Sequence, residues 1–148
     1  MTGIEIHGDV NSKFLTVSLG DVLPCLQAPF TMKWCLLWLE GWSSEEWMMN
    51  ELPNNDFEEA VNKSSNGTAI TIEQVQRLAD VPGQIINMIL LGSEDVSNLR
   101  RYDNDEQMHA TCDYVIEVFD SSYLIVHSKD RAFITCLQNT LEGVRTIQ

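Results

Sequence analysis

The fold is decided by the stretch ATCDYVIEVFDSSYLIVHSKDRAFITCLQNTL, which occupies residues 110–141. Within it, Ala110–Phe119 and Tyr123–His127 are rich in the β-branched and aromatic residues that favour strands. The intervening Asp120-Ser121-Ser122 consists of turn-forming residues, so we predict that the two strands form a hairpin. After the second strand, apolar residues recur at helical spacing and predict a closing helix from about Lys129 to Leu141.

Outside this stretch, further strands and one well-marked helix are predicted. Gly3–Gly8 alternates apolar and polar residues, and Ser12–Ser18 is predicted to be a second strand joined to it by a short hairpin link. Met32–Glu40 and Ile85–Leu91 are apolar runs typical of buried strands. Thr71-Ile72-Glu73-Gln74 fits a capping box that opens a helix.

The order of these elements predicts the fold class. Strands come first, helices occupy the middle of the chain, and a hairpin with a closing C-terminal helix ends it. This order favours an α+β fold with a mostly antiparallel sheet and helices packed on one face. The length of 148 residues, with no internal repeat and no long linker, predicts a single domain spanning residues 1–148.

The charge balance is the most unusual property of the composition. Twenty-two acidic residues face nine basic ones, which gives a formal net charge of −13. A chain this acidic repels phosphate groups, so direct binding to nucleic acid or to an anionic membrane surface is not expected. No apolar run approaches the roughly 20 residues that a membrane-spanning helix needs. A basic protein partner fits the charge instead.

The cysteines and the first residues of the chain predict a compartment. Cys25, Cys35, Cys112 and Cys136 are scattered without tight spacing, and Met1–Leu15 lacks the pattern of a secretory signal. We therefore expect four reduced thiols in a cytoplasmic protein.

The segment Glu40–Asn62 is the candidate partner-binding site. It holds seven acidic residues, no Lys or Arg, and several aromatic and Met side chains. Aromatic anchors among carboxylates suit a basic protein partner, because the rings supply contact area and the acids steer and pair with Lys or Arg. The predicted contacts are Trp42, Glu45, Glu46, Trp47, Glu51, Asp56, Glu58 and Glu59. The alternative is an ordinary core beneath a solvated acidic surface, and Asp95–Glu106 is a competing acidic site.

Catalytic and metal-binding signals are sparse. His7, His109 and His127 are far apart in the sequence, and His109 with Cys112 forms a lone H-x-x-C without a second ligand pair nearby. His127 is interpreted as a sheet residue rather than a base. We therefore expect no metal, no cofactor and no enzymatic activity, although a Cys/His pair assembled in space stays an alternative.

The C-terminal third resembles a known family. Tyr114–Tyr123 followed by Ile125–Asp130 is similar to the ending of small bacterial immunity proteins of polymorphic toxin systems, including those of contact-dependent growth inhibition. The shared features are a strand, Phe-Asp-Ser-Ser-aromatic, a second strand, Ser-Lys-Asp and a closing helix, over about 35 residues. The resemblance implies a non-enzymatic cytosolic inhibitor that binds one cognate toxin domain.

Three hypotheses for the function follow. The first is an immunity protein that neutralises a basic toxin domain, and a nuclease is favoured because its phosphate-binding cleft must be cationic. The second is a small acidic inhibitor or adaptor of another basic protein. The third is a small Cys/His enzyme.

Overall fold

A seven-stranded antiparallel sheet forms the centre of the molecule. The computed structural model describes residues 2–81 and 83–147. The strands are β1 Thr2–Ile6, β2 Lys33–Ser43, β3 Met48–Met49, β4 Leu52–Pro53, β5 Thr68–Ile70, β6 Gly83–Ser93, β7 Tyr114–Phe119, β8 Tyr123–Ser128 and β9 Val144–Ile147. The order in the large sheet is β5-β2-β6-β7-β8-β1-β9, and each neighbouring pair is antiparallel. Strands β3 and β4 form a separate two-stranded ribbon.

Helices and short turns connect the strands. The helices are α1 Leu19–Val22, α2 Asn54–Lys63, α3 Ile72–Asp80, α4 Asp105–Thr111 and α5 Arg131–Thr140, and two 3-10 turns span Leu23–Cys25 and Val96–Asn98. Helix α3 begins with the predicted capping box, because the Thr71 hydroxyl accepts from the Gln74 N–H while the Gln74 side chain accepts from the Thr71 N–H. The α+β class with a mostly antiparallel sheet is confirmed.

The main core lies between the first face of the sheet and the helices α1, α2, α3 and α5. We call first face the side that carries Ile4, Ile116 and Val126, which are fully buried. Helix α2 contributes Phe57 and Val61, α3 contributes Val75 and Leu78, and α5 contributes Phe133, Ile134 and Leu137. Each such side chain stabilises the fold by about 1.5–3 kcal/mol relative to leaving it exposed.

The second face of the sheet carries the alternate residues and is covered only in part. Helix α4 places Met108 and Cys112 on Cys35, Leu91 and Val115, which forms a smaller second core. Beyond α4, half-buried side chains continue across this face, including Ile89, Phe119, Tyr123 and Ile125. In the described part of the chain, four helices therefore cover one face of the sheet and the short helix α4 covers part of the other.

The predicted hairpin between β7 and β8 is confirmed, but its first strand begins at Tyr114 and not at Ala110, because Ala110 and Thr111 form the end of α4. Asp120 and Ser121 both adopt positive φ angles, which suits the tight turn between twisted antiparallel strands. The turn is also held by β6, because the Ser121 N–H donates to the Ile86 carbonyl at 2.8 Å.

The N-terminal hairpin prediction is wrong. Residues 12–18 form no strand, and β1 instead pairs with β8 on one side and with β9 on the other. Strand β9 was not predicted, since Val144–Ile147 is short and follows directly after the closing helix. Strand β1 is therefore paired on both sides with strands from the C-terminal part of the chain, and this long-range pairing replaces the local hairpin with residues 12–18.

The prediction of four reduced thiols is also wrong. Cys25, in the first 3-10 turn, and Cys136, in α5, form a disulfide across 111 residues of sequence. The fold brings together two cysteines whose spacing gives no hint of a pair. Cys35 and Cys112 are free and buried, and burial raises the pKa of the Cys35 thiol to about 11.

No helix among residues 2–81 and 83–147 is both long enough and apolar enough to cross a membrane.

Candidate functional site

The segment Glu40–Asn62 winds around one end of the first face. It includes the end of β2, the β3–β4 ribbon and nearly all of α2. Trp42 is 64% exposed, whereas Trp47 packs against the core with its ring edge-on to Phe57 at a centroid distance of 6.0 Å. The two predicted anchors therefore differ, since Trp42 is open to a partner and Trp47 is largely structural.

A cavity of about 340 Å³ lies beside this segment. Its walls include Trp42, Trp47 and Glu58 from the predicted site, and its apolar lining includes Leu78 and Ile85. Polar side chains, including Asn54 and Gln84, share the wall with the apolar residues, and a concave surface that combines both is the usual form of a binding site. The structure thus brings three of the eight predicted contacts into one place.

The other predicted contacts lie outside the cavity and are exposed to solvent. Glu45 and Glu46 lie in the loop after β2, and Glu51 lies in the β3–β4 turn with a positive φ angle. Asp56 and Glu59 are on α2. Glu59 forms an ion pair with Lys63, which lowers the pKa of the Glu59 carboxyl, so this acid already has a cation.

Helix α2 also protects the outer edge of β2, which extends beyond the short strand β5. The Asn62 side chain accepts from the Leu39 N–H at 2.8 Å and donates to the Leu39 carbonyl at 2.9 Å. One turn earlier, the Glu58 carboxylate accepts from the Gly41 N–H at 2.6 Å. These bonds replace those of a missing strand, and a covered edge does not invite pairing with other chains.

Glu58 is the most unusual acid of the segment. Burial raises the pKa of its carboxyl, and the neighbouring Glu40 acts in the same direction, while the Gly41 N–H opposes both. A half-buried carboxylate beside a second acid is in an unfavourable environment when ionised. A cation placed at the cavity would relieve it.

A second cluster of chemically active side chains lies on the second face of the sheet. His109 in α4, Glu117 in β7 and His127 in β8 each place one ligand-type atom within 4.8 Å of the others. The His109 Nε2 lies 3.0 Å from the Glu117 carboxylate. The imidazole rings of His109 and His127 stack with their centroids 3.7 Å apart.

The three residues of this second cluster lie on different elements, which is why the sequence alone did not predict that they meet. Glu117 stands opposite Ile89 of β6 and Ile125 of β8, and it is only 2% exposed. His127 pairs in register with Gly3 of β1. Burial and the adjacent His109 lower the pKa of His127 to about 4, so its imidazole is neutral at pH 7. The one signal in the sequence was Glu117 itself, which is the single charged residue in the otherwise apolar strand β7.

Comparisons with known proteins identify no relatives. No family model matches the chain, and no curated protein and no solved structure gives a significant match. The resemblance of the C-terminal third to immunity proteins therefore stays a prediction.

Proposed function

We propose that the protein binds a basic protein domain through the acidic face, which we define as the eight predicted contacts from Trp42 to Glu59. The observation that carries this proposal is the exposed Trp42 ring beside a cavity whose wall holds the half-buried Glu58. A Lys or Arg side chain suits both, because its cation is attracted to an aromatic face and to a carboxylate.

The surrounding charges favour rapid association with such a partner. Glu45, Glu46 and Glu51 are exposed in the same segment of the chain as the cavity residues Trp42 and Trp47, and their field adds to that of a chain with net charge −13. A field of this sign raises the association rate of a cationic domain and weakens as salt screens it.

The specific form of the proposal is an immunity protein. The resemblance of the C-terminal third implies a cognate toxin domain as the partner, and the acidity favours a nuclease with a cationic cleft. The same resemblance implies a cytoplasmic location. The disulfide between Cys25 and Cys136 argues against that location, since such bonds persist mainly in oxidising compartments. An inhibitor or adaptor of another basic protein is the broader alternative.

Thiol catalysis receives little support from the free cysteines. A nucleophilic thiol needs a lowered pKa and access to substrate. Cys35 and Cys112 are buried, and burial raises the pKa of both thiols. We therefore propose a binding protein in preference to a Cys/His enzyme.

The test compares two triple charge reversals of equal size. Glu45, Glu46 and Glu51 are changed to Lys in one variant, and the exposed Asp103, Asp105 and Glu106 are changed to Lys in the matched control. The probe is the C-terminal domain of the protein encoded immediately upstream, with association measured at low and high salt. Because both variants gain the same charge, a difference between them reports on the location of the interface.

We expect the first variant to associate at least about tenfold more slowly at low salt, and the control to change much less. Circular dichroism confirms that both variants are folded. Equal losses would refute a localised acidic interface, and a larger loss in the control would place it at the competing loop. No association of the wild-type protein with this probe would reject the immunity function.

A further inference from the structure

We propose that His109, Glu117 and His127 bind one divalent first-row transition metal ion of the zinc type. This site is on the second face of the sheet and is independent of the acidic face and of its proposed function. It was not expected from the sequence, in which the three residues stand on three different elements.

The ligand set determines the class of ion. Two imidazole nitrogens and one carboxylate oxygen suit zinc and its neighbours in the first transition row, whereas Ca²⁺ and Mg²⁺ take mostly oxygen ligands. Catalytic zinc sites use the same set of two His and one Glu, with the fourth position open. With three protein ligands, a water molecule or a group from a partner completes the coordination.

The distances are compatible with a common metal ion after small side-chain movements. Ligand atoms about 2.0–2.1 Å from a tetrahedral zinc lie about 3.3 Å from one another. His109 Nε2 and Glu117 Oε2 are 3.0 Å apart, and the three ligand atoms lie within 4.8 Å. The stacked imidazole rings must rotate out of their parallel arrangement to direct both lone pairs at one point. This rotation takes place about the side-chain bonds of His109 in α4 and His127 in β8.

Burial supplies an independent reason for a cation at this place. Glu117 is 2% exposed between two isoleucine positions, and its buried carboxylate, which His109 Nε2 contacts at 3.0 Å, requires compensation of its charge. Among the described residues, the buried Nδ1 of His127 has no hydrogen-bond partner, a property that it shares with the Nε2 of His7 outside the cluster. Buried polar atoms are rarely left unpaired, and one that is calls for an explanation. A dication beside these side chains balances the carboxylate charge and accepts a nitrogen lone pair.

The backbone below His127 leaves room for its ring. A Cβ atom added at Gly3 would lie 2.4 Å from the His127 Nε2. Any larger residue at position 3 would therefore displace the imidazole.

The test measures metal binding directly. Untagged protein is freed of metal with a chelator and titrated with Zn²⁺ by calorimetry, and with Co²⁺ by its visible ligand-field absorption. We expect one ion per chain with a Kd of about 1 μM or tighter. His109→Ala and His127→Ala should each weaken binding at least about tenfold, and should remove the absorption of imidazole-bound Co²⁺.

His7→Ala is the matched control. His7 is half-buried on the same face, stacks on Tyr123 at 5.1 Å and lies 3.6 Å from a Glu5 carboxylate oxygen, yet it is outside the proposed site. We expect this variant to bind Zn²⁺ like the wild type. Loss of binding in His7→Ala but not in His127→Ala would overturn the proposal, and so would an absence of saturable binding in the wild type.

Glu117→Gln adds a readout that does not depend on the histidines. The amide keeps the shape of the side chain and removes the charge, so Zn²⁺ should bind more weakly and raise the melting temperature less than it does in the wild type. If this variant does not fold, the two histidine variants still decide the outcome. Unchanged Zn²⁺ affinity in a folded Glu117→Gln variant would exclude the carboxylate as a ligand.

Discussion

Removal of the disulfide between Cys25 and Cys136 should cost the protein a large part of its stability. The bond closes a loop of 111 residues, with the two Cα atoms 5.7 Å apart. The loop-entropy relation for a cross-link of this length gives about 4.8 kcal/mol at 25 °C, as an upper value. Because a domain of this size is stable by only about 5–15 kcal/mol, the bond decides how much of the protein is folded under mild stress.

The assay is denaturant unfolding of three samples: the oxidised protein, the protein in reductant, and the double variant Cys25→Ser with Cys136→Ser. We expect the second and third samples to lose about 3–5 kcal/mol relative to the first. Reductant added to the double variant is the control and should change nothing, since the remaining cysteines, Cys35 and Cys112, are free thiols.

A thiol count on the unfolded, non-reduced protein completes this test. It should find the thiols of Cys35 and Cys112 and no others, with all four cysteines reacting after reduction. Four reactive thiols without reductant would refute the bond. A loss of stability below about 1 kcal/mol would refute the loop-entropy reasoning. The same thiol count on protein isolated from the cytoplasm tests the proposed location, since thiols in that compartment are kept reduced.

Two further predictions concern α2 and His127. Asn62→Ala leaves the Leu39 N–H and carbonyl at the edge of β2 without their side-chain partner, and it should lower the free energy of unfolding by about 1–3 kcal/mol. The control is Asn55→Ala at an exposed position of the same helix. Equal effects of the two substitutions would contradict the role of Asn62 in edge protection. The pKa of His127 is about 4 in the folded protein against 6.5 for a solvated histidine, so the unfolded chain binds more protons between these pH values. Stability therefore falls as pH drops through this window. For a partly solvated group the loss should be about 1–2 kcal/mol between pH 7 and pH 4 in metal-free protein, and a His127→Gln variant with the same pH slope would contradict it.

Local sequence patterns were sufficient to predict the parts of the fold that depend on neighbouring residues. The β7–β8 hairpin follows from two strand-forming runs around Asp120-Ser121-Ser122, and α3 follows from its capping box at Thr71. The apolar runs Met32–Glu40 and Ile85–Leu91 were predicted as buried strands from their short length and residue types, and they coincide largely with parts of β2 and β6. Together, the predicted strands and helices are sufficient to define the α+β class.

Features that depend on distant parts of the chain were not predictable in this way. Strand β1 lies between β8 and β9 because the two ends of the chain meet in space, and no local signal reports such a meeting. The Cys25–Cys136 bond and the cluster of His109, Glu117 and His127 arise from the same kind of long-range contact. The acidic segment could be predicted because its residues are close together in the sequence. The difference between the exposed ring of Trp42 and the packed ring of Trp47 is shown only by the structure.

The use of the basic side chains within the fold strengthens the case for an external cation. Arg77 donates to the Met48 carbonyl, and Arg101 donates to the Ser64 and Val61 carbonyls at the end of α2. Within the described part of the chain, Lys or Arg pairs with an acid only at Lys63 and Lys129. Several of the nine bases therefore serve backbone groups, and most of the 22 acids keep their charge unbalanced by a neighbouring base. Because this repulsion is present in the free protein, neutralisation by a basic domain contributes favourably to binding, and that contribution shrinks as salt screens the charges.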